Sequence, residues 1–137
     1  MKKIFSKVEE GLLLHAIYRY EDITEKRADI SPEEEFLQVS TFRLKKDKTF
    51  RAHYHIENIK ETNRTQESWV VIKGSVKVML YDIDKKLISE VILKQGDCTV
   101  TFRGGHNYLC LEDDTVIYEY KTGPYQGQKL DKEFIHV

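Results

Sequence analysis

The stretch "FRAHYHIEN", residues 50–58, sets His53 and His55 one residue apart in a run where apolar and polar side chains alternate. Side chains of a β-strand point alternately to its two faces, so His53 and His55 share a side and Arg51 goes with them. Their imidazoles then stand close enough to grip one ion. The strand reading extends outward from here. "FLQVSTFRL" (36–44), "TFRAHYH" (49–55), "SWVVI" (68–72), "SVKVMLYD" (75–82) and "KLISEVIL" (86–93) are short and rich in β-branched and aromatic residues. "CTVTF" (98–102), "NYLCL" (107–111) and "TVIYEYK" (115–121) continue the pattern. Turn-forming stretches separate them: "KKDK" at 45–48, "KG" at 73–74, "DIDKK" at 82–86, "KQGD" at 94–97, "RGG" at 103–105 and "EDD" at 112–114. Short strands at nearly regular spacing, with no helical period between them, predict an antiparallel sandwich or barrel. "GLLLHAIYRY" (11–20) fits a helix or an added strand, because a short apolar run does not separate the two by period. Residues 21–35 and 56–66 are polar and read as loops.

The chain has 137 residues, enough for one domain with a sizeable core and too few for two ordinary ones. A 40% hydrophobic and 33% charged composition is that of a globular chain rather than a disordered one. The formal net charge of −1 implies no broad basic face, which argues against nucleic acid as a partner. No apolar run approaches the length of a membrane span. "MKKIFSKVEE" lacks the apolar core of a signal peptide. The two cysteines, Cys98 and Cys110, make no disulfide framework, so a cytoplasmic location is expected.

Two further residues join the histidine pair. Glu67 opens the strand that follows the 56–66 loop, and an antiparallel pairing of that strand with 49–55 sets Glu67 facing His53 and His55. His106 follows the "RGG" turn and opens another strand. Three imidazoles and one carboxylate at strand ends suit Fe, Mn, Co, Ni, Cu or Zn, with coordination positions left for water or substrate.

This arrangement resembles the cupins, whose first motif runs G-x5-H-x-H-x3,4-E-x6-G and whose second runs G-x5-P-x-G-x2-H-x3-N. "ESWVVIKG", from Glu67 to Gly74, matches the Glu-x6-Gly half. "GDCTVTFRGGH" begins the second motif at Gly96 and reaches His106. The chain departs from the pattern in three ways: eleven residues separate His55 from Glu67, the second motif is one residue short before His106, and Phe102 replaces the proline. Glu61 is nearer to the histidines but lacks the glycine seven residues on. A narrower resemblance lies in the tail. Glu119, Lys121, Gly123-Pro124-Tyr125 and Asp131-Lys132-Glu133-Phe134 are similar to the end of the WbuC-type cupin-fold metalloproteins, which are associated with bacterial surface-polysaccharide gene clusters.

The resemblance implies an all-β fold: a single cupin (jelly-roll) antiparallel barrel over residues 36–137, with residues 1–35 an extension packed on the barrel or on a dimer partner. It implies one divalent transition metal, Zn, Fe, Mn or Ni, held by His53, His55, Glu67 and His106. A small-molecule ligand is expected, a sugar or sugar nucleotide, in a cytoplasmic homodimer. Arg51, Trp69 and Tyr108 are the expected pocket residues. Arg51 meets a ligand anion or escapes to the rim. Trp69 stacks on a sugar ring or fills the wall. Tyr108 contacts substrate or packs in the core. Cys110 fills the core or supplies a soft fifth ligand, and His15 and His136 are structural or exposed. Three activities fit: a metal-dependent protein of surface-sugar metabolism, a metal-independent sugar-nucleotide isomerase or epimerase with His as base and Tyr as acid, and an Fe(II) dioxygenase. A non-catalytic binding cupin fits the same residues.

Overall fold

The computed structural model describes residues 1–136. Among them the regular structure is almost entirely antiparallel strand: β1 (Lys2–Phe5), β2 (Leu13–Tyr18), β3 (Arg27–Asp29), β4 (Ser40–Phe42), β5 (Glu67–Lys73), β6 (Ser75–Tyr81), β7 (Leu87–Lys94), β8 (Cys98–Thr101), β9 (Gly105–Cys110) and β10 (Val116–Lys121). A 3-10 turn at Tyr20–Asp22 and a short helix, α1 (Gln128–Asp131), are the helical elements among these residues. Among the described residues no helix is long and apolar enough to cross a membrane.

Six of the expected strands, from 68–72 onward, form within two residues of their expected bounds, and the turn stretches fall between them as the sequence indicates. Gly74 and Gly96 take positive φ at two of those turns, where L side chains are strained. Two expected strands do not form as read. Residues 36–44 contribute only β4, paired with β3 in a two-stranded ribbon. Residues 49–55 form no strand, and every residue from 51 to 65 is exposed. Nothing apolar covers Tyr54 or Ile56, at 88% and 84% exposure, so the alternation that marked this stretch has no face to bury against in this arrangement.

β1, β2, β8, β5 and β10 build a five-stranded sheet in that order, and β7, β6 and β9 a three-stranded one. The expected closed barrel is not made by these pairings; among the described residues both sheets keep free edges. The ambiguous segment 11–20 supplies β2, and β1 and β2 thereby belong to the main sheet. β2 reads as an apolar run interrupted by His15 alone because both its faces are covered. Ile17 joins Ile4, Val71, Val76, Val78, Leu80 and Leu93 in a core between the two sheets. Ala16 and Tyr18 turn the other way, into a second core with Ile30, Cys98, Val100 and Phe102, roofed by Leu37 and Val39.

The inner face of the large sheet changes character along its strands. One row across it pairs Val71 with Ile117, and Val71 belongs to the apolar core. The next row runs Glu119, Trp69, Thr99, Ile17. The last runs Lys121, Glu67, Thr101, His15 and ends on Ile4. Polar side chains thus collect at one end of the space between the sheets, and that end opens into a cleft.

Candidate functional site

The cleft has a volume of about 530 Å³ and is walled by β5, β8 and β10 on one side, β9 on the other, and the tail from Asp131 to Ile135. Glu67 lies at its floor, 4% exposed. Its Oε1 accepts from His106 Nε2 at 3.0 Å and from Trp69 Nε1 at 2.8 Å. Trp69 lies flat on Tyr108, ring centroids 3.7 Å apart and planes 3° from parallel. The same indole N–H reaches Glu119 Oε2 at 3.2 Å, and Lys121 Nζ stands 3.5 Å from Glu119 Oε1. Alternation on β5 and β9 brings these rings and acids together, since Glu67 and Trp69, like His106 and Tyr108, are two residues apart.

Electrostatics follow from this packing. Burial pushes the Glu67 carboxyl up, but the bond and charge of His106, the charge of Lys132 and the Trp69 N–H outweigh it, holding the group below the usual carboxylate range. Burial pushes the Tyr108 phenol far up, against the bond with Thr99, and the Glu67 and Glu119 charges add to the rise. Tyr108 therefore keeps its proton at neutral pH. His106 Nδ1 is buried and has no hydrogen-bond partner among the described residues.

Of the four expected metal ligands, Glu67 and His106 meet. His53 and His55 do not join them: both are exposed on the 43–66 segment and line no part of the cleft. Their rings lie 5.4 Å apart, as the H-x-H spacing implies, and His53 Nδ1 donates to the Arg51 carbonyl. Arg51 is likewise exposed and outside the cleft. No three His, Cys, Asp or Glu side chains gather as a metal-holding group among the described residues. Glu61 lines a separate surface cleft of about 460 Å³ with Arg64 and Arg103, so Glu67 is the carboxylate beside His106. Gln66 faces that second cleft, where Arg103 and Gln66 both bond the buried Glu35 and tie the 30–39 segment to the sheet. Trp69 and Tyr108 line the main cleft as expected of pocket residues. Cys110 is exposed, His136 is exposed and His15 is fully buried.

Sequence reasoning did not assign Glu119, Thr101 or Lys132 to the site. Glu119 was legible in principle, because it sits one residue from each of the exposed Tyr118 and Tyr120 and so points to the opposite face. Thr101 needed the strand register. Compared with known proteins, the chain matches no family model, no curated protein and no solved structure.

Proposed function

We propose that this is a cupin-like protein that binds and transforms a sugar or sugar nucleotide of surface-polysaccharide metabolism in the Glu67–His106 cleft. One observation carries the reading: a buried, ionised carboxylate bonded to an imidazole whose second nitrogen has no partner, beside an aromatic wall. That is the wiring of a general base. Glu67 accepts the Nε2 proton of His106, which leaves the lone pair on Nδ1 and stabilises the imidazolium once Nδ1 has taken a proton; Nδ1 is enclosed, so a bound sugar reaches it only when the wall around His106 opens. The acid is Tyr108, protonated and within the same wall. The reaction is isomerisation or epimerisation beside a sugar carbonyl. His106 takes the proton from the neighbouring carbon, the C–H pair becomes a C=C bond, and the carbonyl π pair moves to oxygen, which takes the Tyr108 proton. His106 then gives its proton to the alternative carbon, or to the other face of the same carbon, while the hydroxyl that becomes the new carbonyl returns its proton to Tyr108, which restores both residues.

The chain's one tryptophan, Trp69, reports directly on this cleft. Titration with dTDP-glucose or UDP-glucose is expected to change its emission saturably, with Glu67→Gln and His106→Gln weakening binding about tenfold or more. A flat titration with every sugar and sugar nucleotide tried would sink the reading.

A second reading rests on His53 and His55. They are paired, exposed, and carried on a segment without strand partners that leads straight into Glu67. In the metalloprotein reading they complete the set of Glu67 and His106, and the bound ion supplies Lewis acidity to a sugar oxygen or water. As the four side chains are placed the set is half assembled, so no step is routed through the ion. Elemental analysis of untagged protein after reconstitution tests it: near one ion per chain is expected, reduced in His53→Ala, His106→Ala and Glu67→Ala and unchanged in His136→Ala and Glu61→Ala. Metal-free wild type, or full occupancy in Glu67→Ala with loss in Glu61→Ala, overturns it. Oxygen consumption with bound Fe(II) and a sugar ligand distinguishes a dioxygenase. A homodimer is proposed on the exposed Phe5 and Val8 beside the free β1 edge. A sedimentation mass of one 16.2 kDa chain at micromolar concentration would remove it.

A further inference from the structure

His15, which belongs to no sequence motif, is fully buried in the polar row that crosses the large sheet beneath the cleft. Its Nε2 lies 3.1 Å from the Tyr81 carbonyl oxygen and its Nδ1 lies 3.0 Å from Thr101 Oγ1. A carbonyl has no proton to give, so Nε2 must carry one and donate it. Burial drops the His15 pKa to about 4, so the ring is neutral at pH 7 and carries that one proton only. Nδ1 is therefore an acceptor, and the Thr101 hydroxyl must donate to it. The chain of donors leaves one direction open at Thr101: with its proton turned toward His15, its oxygen lone pairs are free to accept. Thr101 lines the cleft.

Glu67 is the direct cross-strand neighbour of Thr101. Side chains so paired have Cβ atoms about 5 Å apart. Both contacts that hold Glu67 fall on Oε1, and Oε2 takes part in neither. The cross-strand pairing thus sets two acceptor-bearing side chains next to each other at the floor of the cleft, the Glu67 carboxylate and the Thr101 hydroxyl. A row of buried polar groups on the core-facing side of a sheet is costly unless every member is bonded. Here the unused acceptor capacity is directed at the cleft.

We propose that Thr101 is a ligand-binding residue and His15 a positioning residue that turns its hydroxyl. Together with Glu67, Thr101 accepts from two neighbouring hydroxyls of the ligand, so the cleft selects a sugar ring with a vicinal diol. This deepens the sugar-cleft reading and rests on it.

The test uses the full chain, with dTDP-glucose as probe and Trp69 emission as readout. Thr101→Val keeps the shape of the side chain and removes the hydroxyl; it is expected to weaken binding roughly tenfold, while Thr101→Ser restores it to within about twofold. Nitrogen-15 NMR of the imidazoles is expected to show His15 with its proton on Nε2 at pH 7 in the wild type and in Thr101→Ser. A merely structural Thr101 would alter the melting midpoint and leave dissociation constants alone. Equal affinity of wild type and Thr101→Val, or a His15 proton on Nδ1, overturns the proposal while the sugar cleft stands. Absence of any response from wild type to dTDP-glucose, UDP-glucose and free hexoses removes the cleft reading, and this inference with it.

Discussion

Alanine in place of Gly104 is expected to cost about 2–4 kcal/mol of stability, combining a strained left-handed backbone with a clash that cannot relax. Gly104 has φ +77°, and a side chain at this position would run into the Tyr81 carbonyl oxygen, its Cβ also standing 3.2 Å from His15 Nε2. The first of these is backbone in the middle sheet strand β6, so no side-chain rotation relieves the contact. The substitution also strikes the site. Gly104 precedes Gly105 and His106, and it packs on the same Tyr81 carbonyl that fixes the His15 ring. Pushing this turn outward moves His106 off Glu67, so loss of stability and loss of sugar-nucleotide binding are expected together. Gly11 is the control. Its φ is +76°, but a Cβ there meets nothing within 4 Å. Gly11→Ala is therefore expected to cost about 1 kcal/mol and to leave Trp69 titrations unchanged. Urea denaturation of both variants measures the difference. Similar costs for the two would show that the close approach at Gly104 is tolerated.

Acidification is expected to weaken the fold earlier than carboxylates alone would cause. Burial lowers the His15 pKa from 6.5 to about 4, the Tyr81 carbonyl and the Asp82 charge opposing the shift and the nearby His106 adding to it. A depressed histidine pKa means that the unfolded chain binds a proton the folded chain refuses. Stability is then complete above pH 6.5, falls as pH drops through the window from 6.5 to about 4, and levels off below it. The shift corresponds to about 3 kcal/mol. Glu67, held below the usual carboxylate range, contributes stability that is lost only at lower pH, below about 4.5. The two contributions therefore separate along the pH axis. Denaturant midpoints taken between pH 7.5 and 4 measure the first. His15→Gln lowers stability at pH 7, since it empties a buried, doubly bonded position, but its profile between pH 6.5 and 4 is expected to be much flatter. An equally steep profile in the variant would assign the acid sensitivity to other groups.

What the sequence determined on its own is the run of strands from β5 to β10 and the turns between them. Alternation and β-branched content decide a strand locally wherever one face is buried, and Gly74 and Gly96 mark turns that require positive φ. The same alternation placed Trp69 beside Glu67 and Tyr108 beside His106, so half of the cleft was readable from residue spacing. The tertiary structure decided the rest. β2 could not be told from a helix, because its apolar run reflects cores on both sides of the sheet, and burial on two faces erases the period that distinguishes the elements. Residues 49–55 have the strand pattern, yet a pattern forms a strand only where a partner edge and a covering face meet it. In this arrangement His53 and His55 have neither. The role of His15 was invisible for a related reason. Its partners Thr101 and Tyr81 lie 86 and 66 positions away, and only the strand register sets them against its two ring nitrogens. Hydrogen-bond direction, and with it the choice of what the cleft floor can accept, is fixed by which groups long-range pairing brings face to face, a quantity that no local stretch of chain contains.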